Sequence, residues 1–90
     1  MNPIYISLAQ LAYDIVLDTM ISGEKDHPGN PWTEKSASYH LSHASDHIDK
    51  HAIGDDAEDH LKHALTRIVM AIYREGNKWI YQTEKKYSDC

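Results

Sequence analysis

Apolar residues recur at helical spacing in three separate segments of this 90-residue chain. From Pro3 to Ile21 they return every three or four positions, and Gly23 supplies the expected stop. A second segment runs from Thr33 to about Ala52, and a third begins near Asp56. Each period matches the turn of an α-helix, so the pattern predicts three helices and no sheet.

The second and third helices are predicted to pack against each other. A tight connection through residues 53 to 55 makes them antiparallel neighbours. Gly54 is expected to end the first of them, and Asp55 with Glu58 to form a capping box that opens the next. The residues expected to face inward are Ala37, Leu41, Ala44, Ile48 and Ala52 in one helix, and Ala57, Leu61, Ala64, Leu65, Ile68, Ala71 and Ile72 in the other.

The segments between these helices carry turn-forming residues. The stretch GEKDHPGNPW concentrates Gly, Pro, Asn and Asp, so we predict a loop that Trp32 helps to order. After Gly76 and Asn77 a short fourth helix is expected. The chain is therefore predicted to be all-α: a single helical domain over residues 1–90, a small bundle on an antiparallel helix hairpin with three main helices and a short C-terminal helix.

A repeated histidine pattern is the most informative motif. Residues 40 to 48 read HLSHASDHI and residues 60 to 68 read HLKHALTRI. On two neighbouring helices these repeats place equivalent polar edges beside the apolar stripes, so the two edges are predicted to form one shared polar site. The members of the two edges are His40, His43 and His47 in the first copy, and His60, His63 and Arg67 in the second.

Three roles are open for this site. Imidazoles on facing helices can coordinate a divalent metal such as Mg²⁺, Mn²⁺ or Zn²⁺, with an aspartate as oxygen ligand. They can instead hold a phosphate-bearing ligand together with arginine and lysine, or only hydrogen-bond across the helix pair or a dimer seam. The candidate metal ligands are His43, His47, Asp59, His60 and His63, and the candidate ligand-binding residues are Lys25, Trp32, His43, His47, His60, His63 and Arg67.

The composition of the chain limits which binding partners and which cellular compartment are expected. Nine Lys and Arg against 14 Asp and Glu give a net charge of −5, which argues against broad nucleic-acid or anionic-membrane binding. The single cysteine, Cys90, excludes an intramolecular disulfide and a multi-thiolate zinc site. No stretch is read as approaching about 20 apolar residues, so a soluble, cytoplasmic protein without a membrane segment is expected. Its core is small, which favours a homo-oligomer, with a dimer preferred.

Several of these segments resemble a known family. The loop GEKDHPGNPW followed by HASDHIDKHAIGDDAEDHLKHALTRIVMAIY resembles small bacteriophage proteins described as similar to the N-terminal domain of dATP/dGTP diphosphohydrolases. The resemblance covers roughly residues 7 to 73, and the EDHLKHA segment after its Gly-Asp turn is its most specific part. The matching positions are Gly23, Lys25, Asn30, Trp32, His43, His47, Gly54, Asp55, Glu58, Asp59, His60, Leu61, His63 and Ala64.

The resemblance implies an all-α protein of phage nucleotide metabolism, acting in the host cell cytoplasm. The expected function is nucleotide binding, with metal-dependent hydrolysis of a deoxynucleoside triphosphate as the possible reaction. The alternative is a non-catalytic phage protein that binds a host protein or sequesters a small signalling nucleotide. One departure bears on catalysis: the chain lacks the ExxE motif with which all-α nucleotide pyrophosphohydrolases bind Mg²⁺.

Overall fold

The computed structural model of the chain describes residues 1–76. Within that range it contains helices and no strand, which confirms the all-α prediction. The predicted C-terminal helix lies outside the described residues. The elements are α1 (Pro3–Asp26), a 3₁₀ helix (Pro31–Glu34), α2 (Ala37–Ala52) and α3 (His60–Arg74).

Helix α1 is longer than predicted. It runs through Gly23 without a break and ends at Asp26, where the N–H of His27 donates to the carbonyl of Gly23 at 2.7 Å. A glycine permits a helix to stop but does not force it to do so. The stop comes from Pro28, because the residue before a proline is disfavoured in the helical region. Four residues assigned to the loop are therefore helical.

Helix α2 begins later than Thr33. The segment Pro31–Glu34 forms a separate 3₁₀ helix, and Lys35 after it is extended. Ser36 then caps α2, its side-chain oxygen accepting from the N–H of Tyr39 at 3.1 Å. A hydroxyl in this position satisfies one of the amide groups that a helix start leaves without a partner.

Helix α3 begins four residues after the predicted start, and the predicted capping box is wrong. Asp59 is the N-cap, with its carboxylate accepting from the N–H of Lys62 at 3.3 Å. Asp55 instead accepts from the N–H of Ala57 in the preceding turn. Gly54 ends α2 as predicted, with a positive φ of 84° that favours glycine. Glu58 is consequently left without a capping role.

The antiparallel hairpin of α2 and α3 is confirmed, and α1 packs against α3. The contact partners show the direction of the chains: His40 meets Arg67, while His47, further along α2, meets His60 at the start of α3. The 3₁₀ helix also contacts α3. These elements together form a small bundle in which α2 and α3 place the two histidine repeats opposite each other.

The predicted direction of the apolar stripes is largely wrong. The seam between α2 and α3 contains His40 and His60, which are almost completely buried. The apolar side chains that the described residues bury are alanines only: Ala44, Ala64 and Ala71. Small alanines allow close approach of the helices, and the imidazoles that enter the seam have polar partners there. Predicted inward residues that are exposed instead are Leu41, Ile48, Ala52, Ala57, Leu61, Ile68 and Ile72.

Helix α1 corrects a second expectation. It has 24 residues and no buried one, and its most apolar 18-residue window has a mean hydropathy of 1.4. By length and composition alone it meets the criterion for a membrane-crossing helix. Core helices of soluble proteins and signal sequences meet the same criterion, so the cytoplasmic location stays a prediction.

Candidate functional site

A cavity of about 500 Å³ lies between the end of α1, the 3₁₀ helix and the inner side of the α2–α3 hairpin. Cavities of this volume accommodate small-molecule ligands. The side chains that line it come from all four elements. Among the lining side chains are the aromatic and basic residues Trp32, Lys35, Tyr39, His47, His63 and Arg67, and the acidic residues Glu24 and Asp26 of α1.

His40 lies behind the cavity wall and holds Arg67. The Nε2 atom of His40 is 2.9 Å from the carbonyl of Trp32, and its Nδ1 atom is 3.0 Å from Nη1 of Arg67. A guanidinium only donates and a carbonyl only accepts, so Nε2–H donates to the carbonyl and Nδ1 accepts from Arg67. These contacts require a neutral imidazole. Burial favours the same state, lowering the pKa of His40, and the nearby charge of Arg67 adds to the effect.

Arg67 has no carboxylate within ion-pair distance among residues 1–76. Its guanidinium lies 5.7 Å from the centroid of the Tyr39 ring, and the ammonium of Lys35 lies 5.2 Å from the same centroid. Both distances are within the range of cation–π attraction. The result is a pair of positive charges on the cavity wall, held by an aromatic ring instead of by acidic residues.

Three imidazoles converge on one carboxylate oxygen beside this pair. Oε1 of Glu58 is 3.2 Å from Nδ1 of His47, 3.2 Å from Nδ1 of His63 and 3.5 Å from Nδ1 of His60. The Nδ1 atoms of His47 and His60 are themselves 2.9 Å apart. Because two ring nitrogens this close need one donor and one acceptor, at least one Nδ1 carries a lone pair. That lone pair and the carboxylate of Glu58 are both groups that can bind a cation.

The group His47, Glu58 and His63 could hold a metal ion, since one ligand atom from each lies within 4.8 Å of the others. Two imidazoles and one carboxylate are the ligands of several catalytic zinc and iron sites, which leave coordination positions open for water or substrate. Magnesium prefers oxygen ligands only. The donor atoms thus favour a transition metal over Mg²⁺ among the three ions predicted.

Burial lowers the pKa of His47, and the carboxylate of Glu58 partly opposes that effect. A lowered pKa keeps the imidazole neutral, which is the form that binds metals. Behind the cluster, Nε2 of the buried His60 is 3.6 Å from Oδ2 of Asp55. That separation is too long for a hydrogen bond, and Nε2 of His60 has no other hydrogen-bond partner among the described residues.

The structure brings together some of the predicted site residues. His47, His63, Arg67 and Trp32 line the cavity, and His60 contacts the cluster from behind. The others lie elsewhere. His43 packs against Tyr39, with ring centroids 4.4 Å apart. Asp59 caps α3, which uses its carboxylate, and Lys25 lies in the last turn of α1 without lining the cavity.

Sequence reasoning missed three residues of the site. The spacing of Glu58 from Asp55 predicts a capping box, and only the later start of α3 reveals the place of Glu58 in the cluster. Lys35 and Tyr39 follow the loop that was expected to supply Lys25 as the cation. The lysine next to a helix start and the tyrosine one turn later were signals that could have indicated them.

Comparison with protein-family models, curated proteins and solved structures gives no match for this chain.

Proposed function

We propose that this chain is a metal-dependent nucleotide-binding protein. His47, Glu58 and His63 hold a divalent transition metal, and the adjoining cavity receives the phosphates of a nucleotide. The observation that supports this best is that the three metal-binding groups converge beside a cavity whose wall also carries Arg67. Neither element alone is specific, but a metal next to a cation is a common arrangement for binding phosphate esters.

The cavity wall supports the choice of a phosphate-bearing ligand. Arg67 can offer its remaining N–H groups as a planar fork to phosphate oxygens, and Lys35 adds a second positive charge. Trp32 provides an aromatic surface for a base, and its buried Nε1 has no hydrogen-bond acceptor among the described residues. These contacts match a nucleotide better than an uncharged ligand.

The reaction that this arrangement favours is hydrolysis of a phosphate ester or anhydride. A bound transition metal polarises a phosphoryl oxygen or lowers the pKa of a bound water, while Arg67 neutralises charge on the phosphate. The sequence resemblance to phage dATP/dGTP diphosphohydrolase-like proteins suggests dATP and dGTP as the first substrates to test. The two-histidine donor set replaces the acidic ExxE site that the chain lacks.

Metal binding is tested by titrating the metal-stripped protein with Zn²⁺, Mn²⁺ and Mg²⁺ in a calorimeter. We expect Zn²⁺ to bind most tightly and His63→Ala to weaken it by more than about 100-fold, because a ligand loss exceeds the effect of losing an outer partner. His51→Ala removes an exposed histidine outside the cluster and is the matched control. Equal zinc affinity in both variants would rule out the proposed ligands.

Nucleotide binding and turnover are tested with dATP and dGTP on the zinc- and manganese-loaded protein. Arg67→Gln should weaken nucleotide binding at least about tenfold while leaving zinc affinity unchanged, because it removes the charge that faces the phosphates. Lys50→Gln, an exposed cation outside the cavity, serves as the control. Conversion to a monophosphate establishes a hydrolase, release of intact nucleotide establishes a sequestering protein, and no binding of either nucleotide contradicts the proposal.

A further inference from the structure

The outer face of the α2–α3 hairpin is apolar and exposed. We use this name for the surface formed by Leu41, Ile48, Leu61, Ile68 and Ile72. Each of these side chains has between 37% and 51% of its surface accessible. Helical spacing places them on the side of α2 and α3 opposite the cavity-lining residues. The large apolar side chains of the hairpin therefore lie outside it, while alanines and imidazoles lie inside.

Among residues 1–76 this distribution leaves no large apolar side chain fully buried. Burying a leucine or isoleucine completely contributes about 1.5–3 kcal/mol, whereas an alanine contributes much less. The buried apolar side chains among residues 1–76 are three alanines. A chain of 90 residues already has an unfavourable ratio of surface to volume. Covering the outer face would therefore add apolar burial that residues 1–76 do not provide by themselves.

We propose that a second copy of this chain covers the outer face, so that two hairpins stack into a four-helix bundle. This inference is independent of the proposed function. The outer face suits self-association because it contains no charged residue, so identical faces meet without repulsion even though each chain carries a charge of −5. Helices α2 and α3 have 16 and 15 residues, which gives both pairs matching lengths for stacking along the whole bundle.

The exposed area is also large enough for an interface. Ile53, in the connection after α2, is 83% exposed and Val69 of α3 is 38% exposed, so both add to the exposed apolar surface of the hairpin. Taking about 200 Å² for a fully exposed large side chain, the whole apolar surface is roughly 600–700 Å². The largest apolar patch on a monomer is typically about 300–600 Å², and specific interfaces bury about 600–1,000 Å² per partner, so this surface reaches the lower end of the interface range.

A lipid surface fits the outer face less well. The net charge of −5 opposes approach to anionic headgroups. Helix α1 is apolar as well, but it carries Asp14 and Asp18 within its apolar stretch, and a carboxylate inside a bilayer costs about 2.5–3.5 kcal/mol. A protein surface tolerates these carboxylates at its edge. The second copy is also the one partner present wherever the chain is made.

The first test uses the unmodified protein. Sedimentation equilibrium should give twice the chain mass of 10.3 kDa. The urea concentration at the midpoint of unfolding should rise when the protein concentration is increased about 100-fold, because the dimer dissociates as it unfolds. A monomer with a concentration-independent midpoint overturns the inference. Flotation of a monomer with neutral phosphatidylcholine vesicles also overturns it, since the covering partner would then be lipid.

The second test places a charge on the outer face. Ile48→Glu and Ile68→Glu should each abolish the dimer, leaving either a folded monomer or an unfolded chain by circular dichroism. Ser42→Glu introduces the same charge on the exposed side of α2 away from the outer face and should remain a folded dimer. The assignment of this face is overturned if either isoleucine variant still forms a dimer as the unmodified protein does. Loss of the dimer in Ser42→Glu also overturns it.

Discussion

The two sides of the α2–α3 hairpin are built from opposite kinds of residue. The seam between the helices holds a polar network in which His40 bonds Arg67 and His47 meets His60. The outer face is apolar and exposed. In most small helical proteins the large apolar residues occupy the seam and the polar residues face water. This hairpin reverses that arrangement.

The reversal separates the source of specificity from the source of stability. Buried polar networks fix the positions of their side chains. Their net stabilisation is small, because each hydrogen bond within the protein replaces one that the same group makes with water in the unfolded chain. Apolar area contributes stability only when water is removed from it. The seam therefore positions the groups of the candidate site, and the outer face stabilises the fold only when a partner covers it. Substitutions on each side test this division.

The largest effect is expected in the seam. His40→Ala should lower the free energy of unfolding by about 2–4 kcal/mol, because it leaves a cavity and removes the partners of Arg67 and of the Trp32 carbonyl. Urea denaturation measures this. His51→Ala, on the exposed surface of α2, should change it by less than about 0.5 kcal/mol. A similar small change in His40→Ala would show that the seam network is dispensable.

The outer face gives the next largest effect. If the proposed dimer forms, a partner copy buries Leu61, and Leu61→Ala should lower the free energy of unfolding by about 2 kcal/mol per chain. Measured at a fixed protein concentration, a cost below about 0.5 kcal/mol would show that Leu61 stays in water, as an exposed leucine does. That result would break the proposed division between the two sides.

Ser36→Ala should have a smaller effect on stability, because it removes the N-cap of α2 and leaves the seam and the outer face unchanged. Losing the hydroxyl that accepts from the N–H of Tyr39 should cost about 1 kcal/mol of unfolding free energy. Ser38→Ala removes an equivalent hydroxyl inside the helix, where alanine is the better helix former, and should cost nothing. Equal effects in the two variants would contradict the capping role.

The pH dependence of stability tests the neutral state of His40. Its pKa is lowered by burial below the ordinary value of 6.5, so below that pH the unfolded chain binds a proton that the folded chain does not. The unfolding free energy should therefore fall as the pH drops from about 7.5 to 5.5. Thermal melts across this range measure it, with His40→Gln as the variant that should show a shallower slope.

The carboxyl group of Asp55 affects stability in a different, lower pH range. The backbone N–H of Ala57 holds the pKa of this carboxyl below its ordinary value of 3.8, so its contribution is present above that pH and is lost as the pH falls below it. A loss of stability that begins only below about pH 4 would assign the dependence to carboxyl groups and contradict the role given to His40.

The sequence by itself determined the three main helices, the antiparallel hairpin and the pairing of the two histidine repeats. These follow from local rules: apolar spacing of three and four, Gly54 with its positive φ, and a connection too short for any but an antiparallel return. The repeats had to face each other once the hairpin closed, so His47, His63 and Arg67 could be predicted as neighbours of one site.

Only the tertiary structure decided which side of each helix enters the seam. A helix that carries an apolar stripe next to a row of histidines can pack against its neighbour through the stripe or through the histidines. The sequence pattern favours packing through the apolar stripe. Close packing through Ala44 and Ala64, with hydrogen bonds available to His40 and His60, selects the polar row instead. The later start of α3, with Asp59 as its N-cap, places Glu58 before the helix, where its carboxylate lies 3.2 Å from Nδ1 of both His47 and His63.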